Sequence, residues 1–577
     1  MPAYPTYRLE VELVSGTWTN LVADGDVIGS VRARYGIAGN GPMDCVASAG
    51  ELAFMLKNGT NSSGGVRGYY SPFNTNVRSG WGYGIGCRLV ILDAADSAAS
   101  VTITRSGSTA TVAWVGHGLS SDAWVLIAGA TQTEYNGAQR ITVTGANAFT
   151  YTVSGTPATP ATGTITGIRA YVKFRGKIRV INPAAGIKRD QSVSVVAYDF
   201  MADLLEADVR ELALEINATE AELIEAVIDA VATEAQPPFR DLDAGVDTYP
   251  YAFFNVADGD KAGGLIKDAA LSAVGIAACK GDGTFIYRSR HTRSLVTSAF
   301  TLTDTMREFS APSSLDKVFN RIRVTIHPQT IDAAATTVLF AQTGTAPSIG
   351  AGETLEVWGT YRDPSNTLKL VGGTAMVTPL VATTDYTGNA SQDGSGADRT
   401  SDLSVVTSAF ASTVKFEITN TSASAAYLTK LQIRGKGIYD NGPRTFESYT
   451  AQNYGDRPFS FDMPYQDDAN TGQSAAEYLG GRYSDPTTLV DELAFVATDT
   501  AAFLTQALAR DIGDAITVGE TMTGITGVDA LIQSVEITML GRNMWCRWGL
   551  APSTQIASWQ LGIAGASELG ATTVLGF

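Results

Sequence analysis

Hydrophobic residues in the middle of the chain follow first a helical and then an alternating pattern. In GGLIKDAALSAVGIAACK, which begins at Gly263, apolar residues recur at helical spacing as far as Ala277 and predict a helix with one buried face. The next segment, GDGTFIYRSRH, predicts a tight turn at Asp282-Gly283 followed by a strand. A further strand is predicted in SSLDKVFNRIRVTIHP, because its apolar residues alternate until Pro328 interrupts the ladder.

The region before this segment predicts a β domain that is interrupted once. Alternation from Tyr7 to Leu13 and the turn-rich segments GIAGNGPMD and NGTNSSGG predict strands joined by long loops. The strand GCRLVILDA has no partner at hairpin distance, and its partner is predicted in RAYVKFRGKIRVINP, residues 169–183. Residues 98–168 between them predict several short strands and therefore an inserted β unit.

Two helices are predicted after Pro183. The strand in QSVSVVAYDF leads through Asp199 into a first helix. Thr219 and Glu222 have the spacing of a capping box, which predicts the start of a second helix that continues until Pro237-Pro238.

The remainder of the chain predicts a second β insertion and a closing segment of strands and helices. TTVLFAQTG, GETLEVWGTYRD, STVKFEITNTS and AAYLTKLQIRG predict the strands of a β-sandwich within residues 327–435. The elements predicted after it are a strand in NYGDRPFSFDMPY, a helix from about Asn470 to Tyr483, the strand ELAFVATD, a helix and a strand in TQALARDIGDAITVGE, and a hairpin in ALIQSVEITMLGRNMWCRWGLAP. Residues 553–577 are apolar with turns and carry no assignable motif.

The composition is that of a large, acidic and β-rich protein. With 577 residues the chain is too long for one hydrophobic core, and about three to five domains are expected. The 59 glycines and the charged fraction of only 17% are typical of strands joined by many turns. The formal net charge of -17 argues against specific nucleic-acid binding, because affinity for phosphates comes from Lys and Arg. An acidic surface would suit a wall along which DNA slides without adhering.

The four cysteines show neither metal-site nor disulfide spacing. Cys45, Cys87, Cys279 and Cys546 lie far apart, so free thiols in a reducing cytoplasm are expected. The segment MPAYPTYRLEVEL lacks the basic and apolar regions of a secretion signal, and no run approaches the ~18 apolar residues of a membrane span. A soluble protein without a membrane span is therefore expected.

The succession of a helix, DGTFIYRSR and LDKVFNRIRV resembles the core of the tail hub (baseplate hub or tail tip minor structural) proteins of tailed bacteriophages. That family's pattern has a helix ending near a glycine, a D-G-x-hydrophobic hairpin closed by an arginine, and a strand with an Asn-x-hydrophobic-x-Val signature. RLEVELVSGTWTNL, SVRARYGI, ELAFMLKN and YVKFRGKIRVINP are similar to other parts of the pattern, and the closing segment resembles the family's last domain. The segment from His117 to Val153 resembles a small β module that recurs in phage structural proteins.

The resemblance implies a mainly β fold with a few helices (α+β), in which a multidomain tail hub scaffold of β-barrel and β-sandwich domains carries two inserted β domains. The predicted divisions are an N-terminal hub domain of residues 1–97 and 169–236, an inserted small β-sandwich module of residues 98–168, central and C-terminal hub domains of residues 237–326 and 436–552, a second inserted β-sandwich of residues 327–435, and a C-terminal extension of residues 553–577.

The resemblance also implies a structural function in the virion. A tail hub closes the tube at the distal tip of a phage tail, connects the tube and the distal tail protein to the tip or central fibre, and forms part of the DNA exit channel. The implied partners are two further copies of the chain in a homotrimer, the distal tail protein, the tape measure protein, and a tail fibre or tip protein. The implied location is the tail tip of the virion, after assembly in the host cytoplasm.

Two other functions remain as alternatives: a tail-associated cell-wall or capsule hydrolase, and a receptor-binding adhesin that acts through the β inserts. The histidines His117, His291 and His327 fall in different predicted domains and indicate no triad or metal site. The loop VADGDKAGG, residues 256–264, lacks the alternating carboxylates and the closing glutamate of a calcium loop, so a turn is expected there.

Carboxylates and aromatic residues provide the remaining candidate chemistry. Asp467-Asp468 has the composition of a glycosidase acid pair, but at the start of a predicted helix it is expected to stabilise the helix N-terminus. Trp114, Trp124 and Tyr135 offer rings for a host surface glycan bound by residues 98–168, although Trp124 begins a core-like run. No catalytic, cofactor-binding or metal-binding residue is predicted, and hence no cofactor and no enzyme activity.

Overall fold

A computed structural model describes residues 4–184, 191–209, 212–245, 247–254, 256, 259–311, 315–484 and 490–553. The fold is mainly β with a few helices and several sheets, which confirms the fold class predicted from the sequence. The α-helices of the described residues are Met201–Glu206, Glu220–Ala230, Ala262–Ser272, Arg290–Leu295, Ala469–Tyr483 and Ala501–Ala509. None of them has the length and apolar character that crossing a lipid bilayer requires.

The largest sheet contains sixteen strands and runs through the whole scaffold. In hydrogen-bonded order, its main path consists of Thr17–Asn20, Thr6–Val14, Gly86–Leu92, Gly163–Pro183, Ser192–Tyr198, Glu51–Lys57, Val27–Gly36, Ile525–Leu540, Asn543–Pro552, Glu492–Val496 and Glu308–Ser310. The strands that branch from this path are Ala99–Ser100, Trp124–Ala130 and Gly137–Arg140, and, further along, Ala515–Glu520 with Ser298–Thr303. The sheet joins strands from both ends of the described chain, since Val27–Gly36 pairs with Ile525–Leu540.

One hydrophobic core extends along this sheet. Buried side chains from Leu9 to Leu550 belong to a single cluster. Alternation determines which side chains enter it: Val31 and Tyr35 are buried, whereas Arg32 between them is exposed. The predicted N-terminal hub domain therefore shares a sheet and a core with the predicted central and C-terminal hub domains.

The first predicted insertion interrupts a pair of scaffold strands. Gly86–Leu92 pairs with the second half of Gly163–Pro183, as the sequence predicted. The first half of that long strand pairs with Trp124–Ala130, so the strand is continuous across the predicted boundary between residues 168 and 169. The insertion nevertheless has a hydrophobic core of its own. Its separate four-stranded sheet consists of Thr142–Gly145, Ala148–Thr152, Thr109–Ala113 and Thr102–Ser106.

The second predicted insertion, residues 327–435, is built in a similar way. The strand Ala426–Asp440 begins inside it and continues past residue 435. Its first sheet consists of Gln329–Ile331, Thr337–Ala341, Ser348–Ile349, Gly372–Thr374 and Tyr386–Asn389, all paired with Ala426–Asp440. Its second sheet consists of Thr354–Thr360, Thr413–Asn420 and Leu403–Ala409, and a ribbon is formed by Arg362–Asp363 and Asn366–Leu370. Buried residues of both sheets share a separate core, as in a sandwich.

The central helix is shorter than the sequence predicted. It ends at Ser272 rather than extending to Ala277, and Val274 adopts a left-handed backbone conformation with φ of 54°. Ile276–Cys279 instead forms the first strand of the hairpin and pairs with Thr284–Arg288. The prediction was wrong because every residue of this strand is buried, so its apolar run has no exposed face that separates a strand from a helix.

The capping box predicted at Thr219 is confirmed, whereas the predicted end of its helix is wrong. The Thr219 hydroxyl accepts a hydrogen bond from the Glu222 amide at 3.4 Å, and the Glu222 carboxylate accepts one from the Thr219 amide at 2.7 Å. Helix Glu220–Ala230 ends well before Pro237, because the chain becomes extended at Val231. The short strands of this region are Asp208–Val209, Ala218–Thr219, Phe239–Leu242, Thr248–Tyr249 and Asp260–Lys261.

A three-stranded sheet contains the strand that the sequence predicts in SSLDKVFNRIRVTIHP. Arg321–Ile326 lies between the antiparallel strand Arg444–Tyr449 and the parallel strand Pro458–Met463. Helix Ala469–Tyr483 packs on this sheet and matches the predicted helix to within one residue. The predicted helix and strand of the closing segment are also confirmed. Of the predicted C-terminal extension, residues 554–577 lie outside the described residues.

Candidate functional site

The hairpin that contains Asp282-Gly283 is held by ion pairs at the end of its second strand. Arg288 pairs with the Asp241 carboxylate and donates a hydrogen bond to Asp243 Oδ1 at 3.1 Å. The Arg288 guanidinium lowers the pKa of Asp241. Both carboxylates lie beside the arginine because Phe239–Leu242 runs parallel to the hairpin strand.

Arg290, two residues after Arg288, also forms an ion pair with an aspartate, and its side chain is buried. Only 2% of its surface is exposed, and its guanidinium donates to the two Asp247 carboxylate oxygens at 2.7 and 2.9 Å. It also donates to the Ala273 carbonyl at 3.0 Å, just past the central helix. Arg288 and Arg290 therefore connect the hairpin to three aspartates, Asp241, Asp243 and Asp247. These acidic partners were missed from the sequence, where the repeated carboxylates of RDLDAGVD are the signal for them.

Asn320 is the asparagine of the Asn-x-hydrophobic-x-Val pattern in LDKVFNRIRV, and its side chain has a structural role. Its side chain is 1% exposed, with Oδ1 accepting from the Arg457 amide at 2.8 Å and Nδ2 donating to the Gly455 carbonyl at 3.1 Å. A buried amide satisfied in this way fixes the segments that it joins. The bonds hold the start of Pro458–Met463 beside Arg321–Ile326.

Gly36 is the glycine of the Gly-Ile dipeptide in SVRARYGI, and it allows two strands to approach closely. Its φ is 103°, and a Cβ atom at this position would lie 2.3 Å from the Gln533 carbonyl oxygen. The same carbonyl accepts a hydrogen bond from the Ile37 amide at 2.8 Å. Glycine is therefore required where the strand from the beginning of the chain meets the strand from its end.

The first insertion is docked against the hairpin. The Trp124 indole N–H donates to Asp282 Oδ2 at 3.2 Å, and the Trp124 and Phe239 rings meet edge to face with centroids 6.2 Å apart. Arg140 of the insertion lies over the same Phe239 ring, 4.1 Å from its centroid. These contacts give the insertion a defined orientation on the scaffold.

A polar cleft of about 460 Å³ lies beside this contact, lined by five basic and four acidic residues. Lys173 is 3% exposed, donates to the Arg510 carbonyl at 2.9 Å and lies 4.0 Å from the Asp511 carboxylate. Arg140 pairs with Asp122 at 3.1 Å. Through these contacts Lys173 joins the long strand Gly163–Pro183 to the segment that follows helix Ala501–Ala509.

A second cleft of about 460 Å³ lies where strands from the two ends of the chain meet. Each carboxylate that lines it pairs with a basic residue, and the pairs are Arg32–Glu536, Lys317–Asp491 and Arg547–Glu492. Glycosidase chemistry requires one protonated carboxylic acid opposite a free carboxylate. Carboxylates held in ion pairs with arginine or lysine do not have that arrangement.

The three histidines lie in different parts of the fold. His117 lies in a loop and His291 in a short helix. His327 lies between Asp462 at 2.8 Å and Asp440 at 3.4 Å, contacts that sequence spacing did not indicate. The hydrogen bond to Asp462 and the charge of both carboxylates raise the pKa of His327. His327 is thus a bridge between strand ends that strengthens when the ring is protonated.

The Asp467-Asp468 pair lies at the start of a helix, as predicted. Asp468 is the N-cap of Ala469–Tyr483 and accepts a hydrogen bond from the Thr471 amide at 2.7 Å. Burial raises the pKa of Asp467. Asp468 therefore stabilises the N-terminus of this helix.

Two of the three aromatic residues considered for glycan binding are buried. Tyr135 is 0% exposed and Trp124 is 7% exposed, while Trp114 is partly buried and tilted against Phe149. A sugar ring stacks only on an accessible aromatic face. The candidate glycan site within residues 98–168 thus loses two of its three rings to core packing.

All four cysteines are buried free thiols. Burial raises the pKa of Cys45 and of Cys546 to about 12, which disfavours the reactive thiolate at neutral pH. Within the described ranges, no group of three or more His, Cys, Asp or Glu is placed to hold a metal ion. The loop at residues 256–264 falls partly outside those ranges.

No protein-family model and no curated protein sequence matches the chain. Among solved structures, the chain is similar to the 43 kDa tail protein of prophage MuSo2 from Shewanella oneidensis, with 8% identity, coverage of 95% of this chain and 97% of that chain, and a TM-score of 0.43. It is also similar to the tail protein from Neisseria meningitidis MC58, with 9% identity, coverage of 94% and 96%, and a TM-score of 0.42. A third similar structure is the E. coli c3393 protein, described as a type VI secretion component with structural similarity to T4 tail proteins gp27 and gp5, with 7% identity, coverage of 92% and 74%, and a TM-score of 0.31.

Proposed function

We propose that this chain is a structural protein of a bacteriophage tail, and specifically the hub at the distal tip. The proposal rests on the way in which the helix, the hairpin and the strand that resemble the tail hub pattern pack together. Helix Ala262–Ser272, the hairpin that follows it and the strand after Asn320 enter one core together with sheet strands from both ends of the chain. The resemblance to tail hub proteins rests on these same elements in this order, with two β insertions interrupting the scaffold.

The proposed assembly is a homotrimeric ring between the distal tail protein and a fibre or tip protein, with the tape measure protein inside. The net charge of -17 is compatible with a ring whose lumen lets DNA pass. Phe73 is 93% exposed and Tyr83 51% exposed, and both line a shallow cavity of about 290 Å³ with Ile181 and Pro183. Exposed aromatic patches are typical of interaction sites, and the proposed contact between copies includes this one.

The proposed function requires no catalysis. If the chain were a tail-associated hydrolase, the purified protein would release sugar or peptide from host cell wall or capsule, and substitution of one carboxylate would abolish that release. We expect no release. Turnover that depends on a single carboxylate would overturn the structural proposal.

Immunogold electron microscopy of phage particles, with antibodies raised against the purified chain, tests the proposed location. We expect label only at the distal end of the tail. Label along the tail tube or on the head would contradict the proposal, and labelling of host cells but not of particles would exclude a virion protein.

A further inference from the structure

The second insertion exposes a tryptophan on the outer face of its smaller sheet. In this sheet Thr413–Asn420 lies between Thr354–Thr360 and Leu403–Ala409. Alternate side chains of these strands enter the core of the insertion, and the intervening ones face outward. Trp358 faces outward and is 43% exposed.

Neighbouring side chains fix the orientation of the Trp358 ring. Its indole N–H donates to Glu356 Oε1 at 2.7 Å. The Phe410 ring lies nearly parallel to it, at an interplanar angle of 13° with centroids 5.8 Å apart. Lys415, opposite Trp358 on the next strand, places its Nζ atom 5.9 Å from the indole centroid. A ring held in this way loses little freedom when a ligand binds.

Polar groups surround the indole on the same face. Lys415 Nζ lies 3.2 Å from the carboxylates of both Glu356 and Glu417, so two carboxylates and one ammonium give this group a net charge of -1. The hydroxyls of Thr354 and Thr419 meet at 2.8 Å further along the same face. The surface therefore combines one flat apolar ring with several hydrogen-bonding groups of fixed position.

We propose that this face, formed by Glu356, Trp358, Phe410, Lys415 and Glu417, binds a saccharide whose sugar ring stacks on Trp358. A pyranose ring presents an apolar C–H face to the indole and hydroxyl groups to the carboxylates and the ammonium. The cores of protein–protein interfaces are depleted in charged residues, which favours a saccharide over a protein partner here. The excess of carboxylate favours neutral or amino sugars over uronic acids. The proposal does not depend on the tail hub assignment.

Isothermal titration of the full-length protein with cellohexaose, chitohexaose and a polygalacturonate oligomer tests the proposal. We expect at least one of the two uncharged oligosaccharides to bind, and to bind more tightly than polygalacturonate. The Trp358→Ala variant should lose about tenfold or more in affinity, because the stacking surface is removed. Absence of binding by both uncharged oligosaccharides would overturn the proposal.

A matched control is Trp545→Ala, since Trp545 is 42% exposed on a scaffold strand far along the chain from the second insertion. This variant should bind the same oligosaccharide as tightly as the unsubstituted protein. Equal affinity of Trp358→Ala and the unsubstituted protein, or an equal loss in both variants, would refute the site. Native mass spectrometry supplies a further check: loss of the oligomer in Trp358→Ala would identify the face as a contact between copies and overturn the saccharide proposal.

Discussion

Trp124 donates its indole N–H to the carboxylate of Asp282 across 3.2 Å, which links the first insertion to the turn of the central hairpin. The two residues are 158 positions apart in sequence. Asp282 has a second role, because its other carboxylate oxygen accepts from the Thr284 amide at 3.0 Å and stabilises the turn itself. The turn at Asp282-Gly283 is therefore also the place where the first insertion contacts the scaffold.

Replacement of residues 98–168 by an Asn-Gly turn should leave a folded scaffold, because the insertion has its own core. The deletion exposes Val90 and Val172, which belong to one hydrophobic cluster with Trp124 in the intact protein. We expect a soluble protein with the oligomeric state of the full chain by light scattering. A companion deletion with Val90→Thr and Val172→Thr removes the new apolar patch, and aggregation of both versions would contradict the insertion hypothesis.

Loss of the buried Arg290–Asp247 pair should destabilise the scaffold strongly. Arg290→Ala leaves the Asp247 carboxylate, which is 14% exposed, without its bidentate partner, and breaking such a pair costs up to about 3–5 kcal/mol. The matched control is Arg307→Ala, which removes an exposed pair with Asp499 and should cost at most about 1 kcal/mol. Urea denaturation measures both effects, and an equal cost for the two variants would refute the anchoring role of Arg290.

Asp199 should make the folded state less stable as pH rises. Burial raises the pKa of Asp199 from 3.8 to about 7, and its Oδ2 has no hydrogen-bond partner. The folded state therefore holds this proton more tightly than the unfolded state, and stability falls as pH increases from about 4 to about 7. Asp199→Asn should be more stable than the unsubstituted protein above pH 7, by up to about 4 kcal/mol at roughly 1.4 kcal/mol for each pKa unit, and the difference should disappear near pH 4.

Thermal unfolding midpoints measured between pH 4 and pH 8 check this prediction. Asp304 provides a control of opposite sign, because hydrogen bonds from Thr521 lower its pKa. Stability contributed by Asp304 is present above its unfolded pKa and is lost on acidification, so Asp304→Asn should cost stability at pH 7. A constant difference between Asp199→Asn and the unsubstituted protein at every pH would show that Asp199 does not titrate in this range.

The exposed aromatic patch at Phe73 should determine assembly if the proposed contact between copies is correct. Phe73→Asp places a charge in that contact and should shift the protein to monomers. Leu368→Asp is the control, since Leu368 is 89% exposed on the second insertion and should leave the oligomer unchanged. Analytical ultracentrifugation distinguishes the outcomes, and an intact oligomer in Phe73→Asp would place the contact elsewhere.

Local interactions were predictable from the sequence, whereas contacts between distant segments were not. The capping box of Thr219 and Glu222 and the turn at Asp282-Gly283 depend on residues within a few positions of each other. The partner of Arg290 is 43 residues away, so no local spacing identifies it. The end of the central helix was missed because burial on all sides removes the periodicity on which the prediction depends.

The exposure of Trp358 in the second insertion also could not be predicted from the sequence. The alternation in GETLEVWGTYRD predicts a strand, and the strand Thr354–Thr360 is present. Alternation alone does not say which of its two faces a second sheet covers. That Trp358 faces outward while Val357 packs against the core follows only from the sandwich as a whole.

Cryo-electron microscopy of intact particles tests the tail hub assignment most directly. We expect three copies of this chain in a ring at the distal end of the tail, with a lumen whose exposed charge is net negative or neutral, because exposed Lys or Arg there would hold DNA phosphates. A map that shows the chain repeated along the tube, or a ring whose lumen is lined mainly by Arg and Lys, would contradict it.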